Sequence, residues 1–252
     1  MSGRHVVVTG AGTGIGRAIA QRLARDGARL TLLARDAERL RETASGLETP
    51  SHVVSCDVRE RRQVDRALAR AAEELGAVHA LVASSGVGGA NHDGADDRFD
   101  DIVRTNLNGT YYCCQAALRH LAPGPEPRHL VVLSSILARI GVPDYTGYSA
   151  SKAGLLGLVR SLAATHAADG VQVNAICPGW VDTEMAWSGL DGIAEATGTT
   201  REQAYREAMQ AVPLGRMSQP ADIAGTVAWL LSPDARGVTG QAIDQNGGAW
   251  LG

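Results

Sequence analysis

His5–Arg25, HVVVTGAGTGIGRAIAQRLAR, is the stretch that decides the fold. His5 to Thr9 is a short apolar run of the kind a buried parallel strand needs, and Arg17 to Arg25 has the periodicity of a helix. Between them lies Gly10-Ala11-Gly12-Thr13-Gly14-Ile15-Gly16. Glycines let the backbone turn tightly and approach a ligand closely, and a helix amino terminus directs free N–H groups at an anion. A strand, a glycine-rich turn and a helix in that order can therefore cradle a pyrophosphate. The position between strand and helix lifts the motif above an ordinary turn.

Working outward, Asp26-Gly27 closes the helix and Ala28 to Leu33 makes a second strand, ending in Ala34-Arg35-Asp36. In a nucleotide fold a carboxylate at this strand tip takes the ribose hydroxyl of NAD, and an Arg takes the 2′-phosphate of NADP. Ala34-Arg35 favours NADPH/NADP over NAD. Asp36 argues the other way unless it caps the next helix. A third strand, His52 to Cys56, runs into Asp57-Val58. Arg61 to Leu75 reads as a helix with Val64, Leu68, Ala71 and Leu75 on its apolar stripe.

Further strands are expected at Val78 to Ala83, His129 to Leu133, Val171 to Ile176 and Gln241 to Asp244. Helices are expected at Arg104 to Leu121, from the Tyr148 region to about Ala168, and at Pro220 to Leu231. This alternation predicts an α/β chain: one doubly wound Rossmann domain over residues 1–252, with a seven-stranded parallel sheet and helices on both faces. Residues 180–212 break the pattern. Two helices, around Asp182 to Ser188 and Arg201 to Ala211 and separated by Gly- and Thr-rich turns, are expected to form a substrate lid over the carboxyl ends of the strands. Met185 and Trp187 would give it an apolar wall.

A second stretch carries the chemistry: Leu133–Lys152, LSSILARIGVPDYTGYSASK. Tyr148 and Lys152 are four residues apart, on one face of a helix. Of 24 Lys and Arg residues, Lys152 is the one lysine. An ammonium is a compact charge on a flexible stem that reaches a phenol and a sugar hydroxyl together, which a planar guanidinium does not. Such an ammonium is expected to lower the phenol's pKa from about 10 and make Tyr148 a general acid or base.

A net charge of −3 offers no basic footprint for nucleic acid, and no apolar run is long enough to span a membrane. The four cysteines lack C-x-x-C spacing and the seven histidines lack ligand spacing, so a reduced, cytoplasmic protein with no catalytic metal is expected. Asp93, Asp96, Asp97, Asp100 and Asp101 read as a solvated loop feeding acidic residues into a helix amino terminus.

Thr9 to Gly16 (TGAGTGIG), Asp57, Asn106, Ser135, Tyr148-x-x-x-Lys152 and Pro178-Gly179, in this order along essentially the whole chain, resemble the signatures of the short-chain dehydrogenase/reductase family. The resemblance implies that Tyr148 is the proton donor, that Ser135 binds the substrate oxygen, and that Lys152 holds the nicotinamide ribose. It also implies that Asn106 holds a water that links Lys152 to solvent. For the cofactor it implies Gly10, Thr13, Gly14, Ile15 and Gly16 at the pyrophosphate, Arg35 at the 2′-phosphate, Asp57 and Val58 at the adenine, and Gly86 beside the adenosine ribose. Pro178, Gly179, Val181 and Thr183 would lie at the nicotinamide end. Ala83-Ser84-Ser85-Gly86 departs from the family's Asn-Asn-Ala-Gly, which puts side-chain contacts at 83 and 84 in doubt.

Cys177 to Met185 and Val212 to Gly248 look most like bacterial 3-oxoacyl carrier-protein reductases and aromatic, angucycline-type polyketide ketoreductases. Trp187, Met185 and Val142 are apolar and Leu190 to Thr200 holds no Arg to grip a small carboxylate, so with Ala34-Arg35 an NADPH-dependent ketoreductase acting on a bulky or polycyclic ketone is expected. The resemblance also implies a homotetramer, or a dimer if one interface is lost, paired through the helices near Asn106 and Thr146 and through the last helix and strand. The alternatives are a 3-oxoacyl carrier-protein reductase, for which Arg139 is the candidate docking cation, an NAD(H)-linked secondary-alcohol dehydrogenase, and a non-catalytic nucleotide sensor.

Overall fold

The computed structural model describes residues 1–91 and 94–252, so Asp93 of the acidic run lies outside the described residues. Strands β1 (His5–Thr9), β2 (Arg29–Ala34), β3 (Ser51–Ser55), β4 (Ala80–Ala83), β5 (Arg128–Leu133), β6 (Val171–Pro178) and β7 (Ala242–Gln245) pair in parallel in the order β3-β2-β1-β4-β5-β6-β7. Val6 lies opposite Leu30 on one side and Ala80 on the other. Strand order reverses between β1 and β4, which opens a crevice at their carboxyl ends.

The helices are α1 (Gly14–Arg25), α2 (Ala37–Ser45), α3 (Arg61–Leu75), α4 (Phe99–Val103), α5 (Gly109–Leu118), α6 (Thr146–His166), α7 (Glu184–Thr197), α8 (Arg201–Gln210) and α9 (Pro220–Leu230). Side chains alternate across each strand, so the sheet feeds two cores. Val7, Leu81, Val132 and Val173 pack with α3, α5 and α6, while Val6, Val8, Leu30 and Ile176 pack with α1 and α9. Each fully buried Leu or Val contributes roughly 1.5–3 kcal/mol.

Two expectations change. The helix placed at Arg104 to Leu121 begins at Phe99 and ends at Leu118, and a π-turn over Arg104–Asn108 interrupts it. The Asp97 carboxylate accepts from the Phe99 N–H, and Asp100 and Asp101 fill the first turn. In the lid, α7 extends to Thr197 and takes in Gly189 and Gly192, which belong to the Gly-rich stretch expected to be turn. Burial of Ala186, Leu190 and Ala194 against Ala204 and Met209 of α8 outweighs about 1 kcal/mol per helical glycine. Thr183 caps α7 by accepting from Ala186 N–H, and Gly198 ends it at φ 63°.

Candidate active site

The glycine-rich loop leaves β1 and starts α1 beside the crevice. Gly10 sits at φ 67°, and a Cβ there would be 2.9 Å from the Ser84 carbonyl oxygen; a Cβ on Gly16 would overlap the Gly10 carbonyl. Only bare backbone fits there, so a ligand can approach the loop closely. Thr13 precedes α1 without capping it through its side chain, so the helix donors remain open to an anion. Ile15 packs its side chain against the α1 core, so its N–H is what it offers the crevice. Gly14 meets Thr183 across the gap: a Cβ on Gly14 would be 3.2 Å from the Thr183 methyl.

At the β2 tip, Arg35 is exposed and forms no ion pair among the described residues. Asp36 accepts from the Glu38 and Arg39 N–H groups at 2.9 and 3.1 Å, so it serves as the cap of α2. After β3, Asp57 is held by Arg59 through bonds of 3.1, 3.1 and 2.7 Å, which lower its carboxyl below the usual range. Val58 is buried in the α3/α5 core. Val181 is likewise buried and pairs with Ser218, so backbone is what either residue presents to a ligand. Gly179, following Pro178 at the end of β6, abuts Asn246, to which a Cβ would come within 3.0 Å.

The second half of the site gathers around α6. Ser135 follows β5, and Tyr148 and Lys152 project from consecutive turns, with the ammonium 5.5 Å from the phenol ring centre. Lys152 is buried, donates to the Leu133 carbonyl at 2.8 Å, and burial brings its pKa down to about 8. Tyr148 differs from expectation. Burial pushes its pKa above the ordinary phenol value, although the residue as a whole is only half-buried; the Ser135 hydroxyl offsets this in part, and Tyr145, whose ring is 6.5 Å away, adds to it. The ammonium is turned to Leu133, so desolvation prevails over the expected lowering.

Asn106 occupies the π-turn, fully buried. Its Oδ1 accepts from Val87 N–H at 2.8 Å, and its Nδ2 donates to the Val87 carbonyl at 3.0 Å and to Ser151 Oγ at 3.1 Å. The side chain ties the segment after β4 to α6, which leaves both of its N–H donors committed within the chain. Gly86 separates it from Lys152: a Cβ there would be 3.2 Å from Asn106 Oδ1 and 3.6 Å from Lys152 Nζ.

The lid supplies Met185, which is 48% exposed and lies over Gly88, where a Cβ would meet its Sδ at 3.0 Å and the Tyr148 ring at 3.9 Å. Trp187 does not line the cleft as expected. Its indole donates to Asp182 at 2.7 Å and stacks on Tyr205 at 5.7 Å, half-buried against the lid's own core. Arg139, the candidate docking cation, is paired with Asp244.

A family model described as enoyl-(acyl carrier protein) reductase matches residues 10–249. The chain belongs to the short-chain dehydrogenase/reductase family. This short-chain dehydrogenase/reductase is an oxidoreductase of a family that binds nicotinamide cofactors. It is 34% identical to a variant of the actinorhodin polyketide ketoreductase solved with NADPH, with a TM-score of 0.90 over 98% of this chain and 97% of that one. It is 32% identical to the 3-oxoacyl-[acyl-carrier-protein] reductase MabA of Mycobacterium tuberculosis, covering 99% of this chain and 94% of MabA. It is 34% identical to the cis-4-hydroxycyclohexanecarboxylate dehydrogenase of Sinomonas cyclohexanicum, covering 97% and 96%.

Sequence reasoning on this short-chain dehydrogenase/reductase missed Arg59 and Arg17. Arg17 holds the Gly12 carbonyl at 3.0 and 2.6 Å and so fixes the glycine loop. The Asp-x-Arg spacing at Asp57 was the available signal for Arg59. Arg17 carried none, since an Arg early in a helix is ordinary.

Proposed function

We propose that the chain is an NADPH-dependent ketoreductase that converts a bulky or polycyclic ketone to a secondary alcohol. The observation that carries this reading is the convergence of Ser135, Tyr148 and the buried Lys152 beside a bare glycine cradle and an Arg35 that forms no ion pair among the described residues. Arg35 supports NADPH, because its guanidinium is available for a 2′-phosphate while Asp36 is engaged as a cap.

Bound nicotinamide supplies the hydride. Ser135 Oγ orients the carbonyl oxygen by donating a hydrogen bond, and Tyr148 Oη transfers its proton to that oxygen. Burial favours the protonated phenol, the form that donates the proton in the reduction. Lys152 would grip the nicotinamide ribose, and Gly10, Gly14 and Gly16 the pyrophosphate. Gly88 and the exposed Met185 beside Tyr148 support an apolar substrate face, since a thioether packs adaptably against ring systems. We place this reductase in the cytoplasm, in keeping with four unpaired, buried cysteines.

A carrier-bound 3-oxoacyl substrate is the second reading, favoured by the similarity to MabA. The test compares NADPH oxidation on trans-1-decalone and on an acetoacetyl thioester, with Tyr148→Phe as control. Turnover of decalone that Tyr148→Phe abolishes is expected, with cofactor binding kept. A clear preference for the thioester would overturn the substrate reading, and unimpaired turnover by Tyr148→Phe would overturn the proton donor.

A further inference from the structure

The loop from Ile136 to Tyr145 joins Ser135 to the helix that carries Tyr148, so its shape sets the distance between the two groups. Its ends are fastened. Ser134 N–H donates to the Ile176 carbonyl at 2.8 Å and Ser134 Oγ to the Lys152 carbonyl at 2.9 Å, while Asp144, at φ 63°, accepts from Asn91 N–H at 2.8 Å.

Midway, Arg139 crosses to β7 and the segment beyond it. Its Nε and Nη2 donate to the two Asp244 oxygens at 3.2 Å each, and Nη2 also donates to the Ala242 carbonyl at 3.1 Å. Its guanidinium lies 5.1 Å from the ring centre of Trp250. Both partners of the ion pair are about three-quarters buried, with side chains 23% and 24% exposed, so water screens it less than a surface pair. Trp250 is itself placed by Asn246, whose Oδ1 accepts from the Gly248 and Trp250 N–H groups at 3.0 and 3.4 Å. Asn246 in turn packs on Gly179.

We propose that Arg139 is a positioning residue, which clamps the 136–145 loop to Asp244 and Trp250 and so holds Ser135 and Tyr148 in register, and that it is not a docking group for an anionic carrier. The inference rests on the proposed roles of Ser135 and Tyr148. A guanidinium whose Nε and Nη2 are taken by a carboxylate and a carbonyl, with an indole beside it, is mostly committed within the chain. Residues 140–142 have no other side-chain tie to the body of the protein among the hydrogen bonds of the described residues.

The test uses the full chain as wild type, Arg139→Met, Asp244→Asn and the double variant. We expect Arg139→Met to lower kcat for trans-1-decalone about tenfold while KM for NADPH stays within about twofold. The double variant should be no worse than Arg139→Met, since the two act as a unit. In decalol oxidation the acid limb of the pH profile should move to higher pH, because Ser135 is the group that pulls the Tyr148 phenol down, against Tyr145 and burial, with Lys152 alongside. Amide hydrogen exchange at residues 136–142 should quicken. Unchanged kcat with unchanged exchange would refute the clamp. So would a defect confined to KM for an acetoacetyl carrier protein, which is the mark of docking. If the wild type reduces no ketone, the proposed function falls and exchange alone decides the clamp; if Arg139→Met does not fold, Asp244→Asn is read in its place.

Discussion

Replacing Asn106 separates a structural tie from a proton relay. Asn106→Ala removes three hydrogen bonds at a site with no exposed surface, leaving Val87 N–H, the Val87 carbonyl and one Ser151 lone pair without their partner. Ser151 still donates to the Tyr148 carbonyl at 2.7 Å, so its loss is small. The two backbone groups matter more, at about 1–3 kcal/mol each when left unsatisfied. Partial refilling by water brings the expected loss to about 3 kcal/mol, read as a lower urea midpoint at an unchanged slope. Asn106→Asp sharpens the test. One carboxylate oxygen keeps the Val87 N–H bond, but the other faces the Val87 carbonyl where an N–H stood. The buried charge is therefore unfavourable at neutral pH and becomes tolerable once protonated, because the acid can donate to that carbonyl. The deficit of Asn106→Asp relative to wild type should shrink as pH falls from 7 to 5. An Asn106→Ala protein with a wild-type urea midpoint and strongly reduced turnover would refute the tie and favour a relay.

Arg35→Ala should raise KM for NADPH and spare NADH, by the roughly 1.5–3 kcal/mol of a charge-assisted hydrogen bond; equal native use of both cofactors would contradict it. Lys152→Arg should be inactive, since a planar guanidinium fork does not replace a buried, compact ammonium held on the Leu133 carbonyl, and retention of most activity would count against that. Burial lowers His5 and His129 from 6.5 to about 4, so the unfolded chain binds protons first. Their contribution is fully present above pH 6.5 and is lost as pH falls through about 4, by roughly 2–3 kcal/mol per ring. Urea midpoints at pH 7 and 4.5 check this, and a flat profile would exclude it. Phe99 and Tyr111 on α4 and α5, and Trp229 on α9, are exposed apolar residues on the helices expected to pair. Light scattering should report a tetramer, and a monomer at micromolar concentration would refute it.

How much was legible follows from the range of each interaction. The His5–Arg25 motif, the α3 limits and the capping role of Asp36 were readable because they depend on neighbours a few residues away. Motif order also made Ser135, Tyr148 and Lys152 legible as residues that the fold brings together around α6. Their electrostatics were not: the Tyr148 shift depends on what surrounds the phenol, and the Lys152 ammonium turned to Leu133, nineteen positions back along the chain.

By itself, the sequence determined the element types, the parallel sheet and the glycine cradle, since periodicity and φ freedom are local properties. Tertiary structure alone decided that α7 runs through two glycines, that Trp187 turns into the lid, that Asn106 ties Val87 to Ser151, and that Arg139 belongs to Asp244. Each of these joins groups far apart in the chain, and the free energy of burying or pairing them exceeds the local preference that a sequence reading can see.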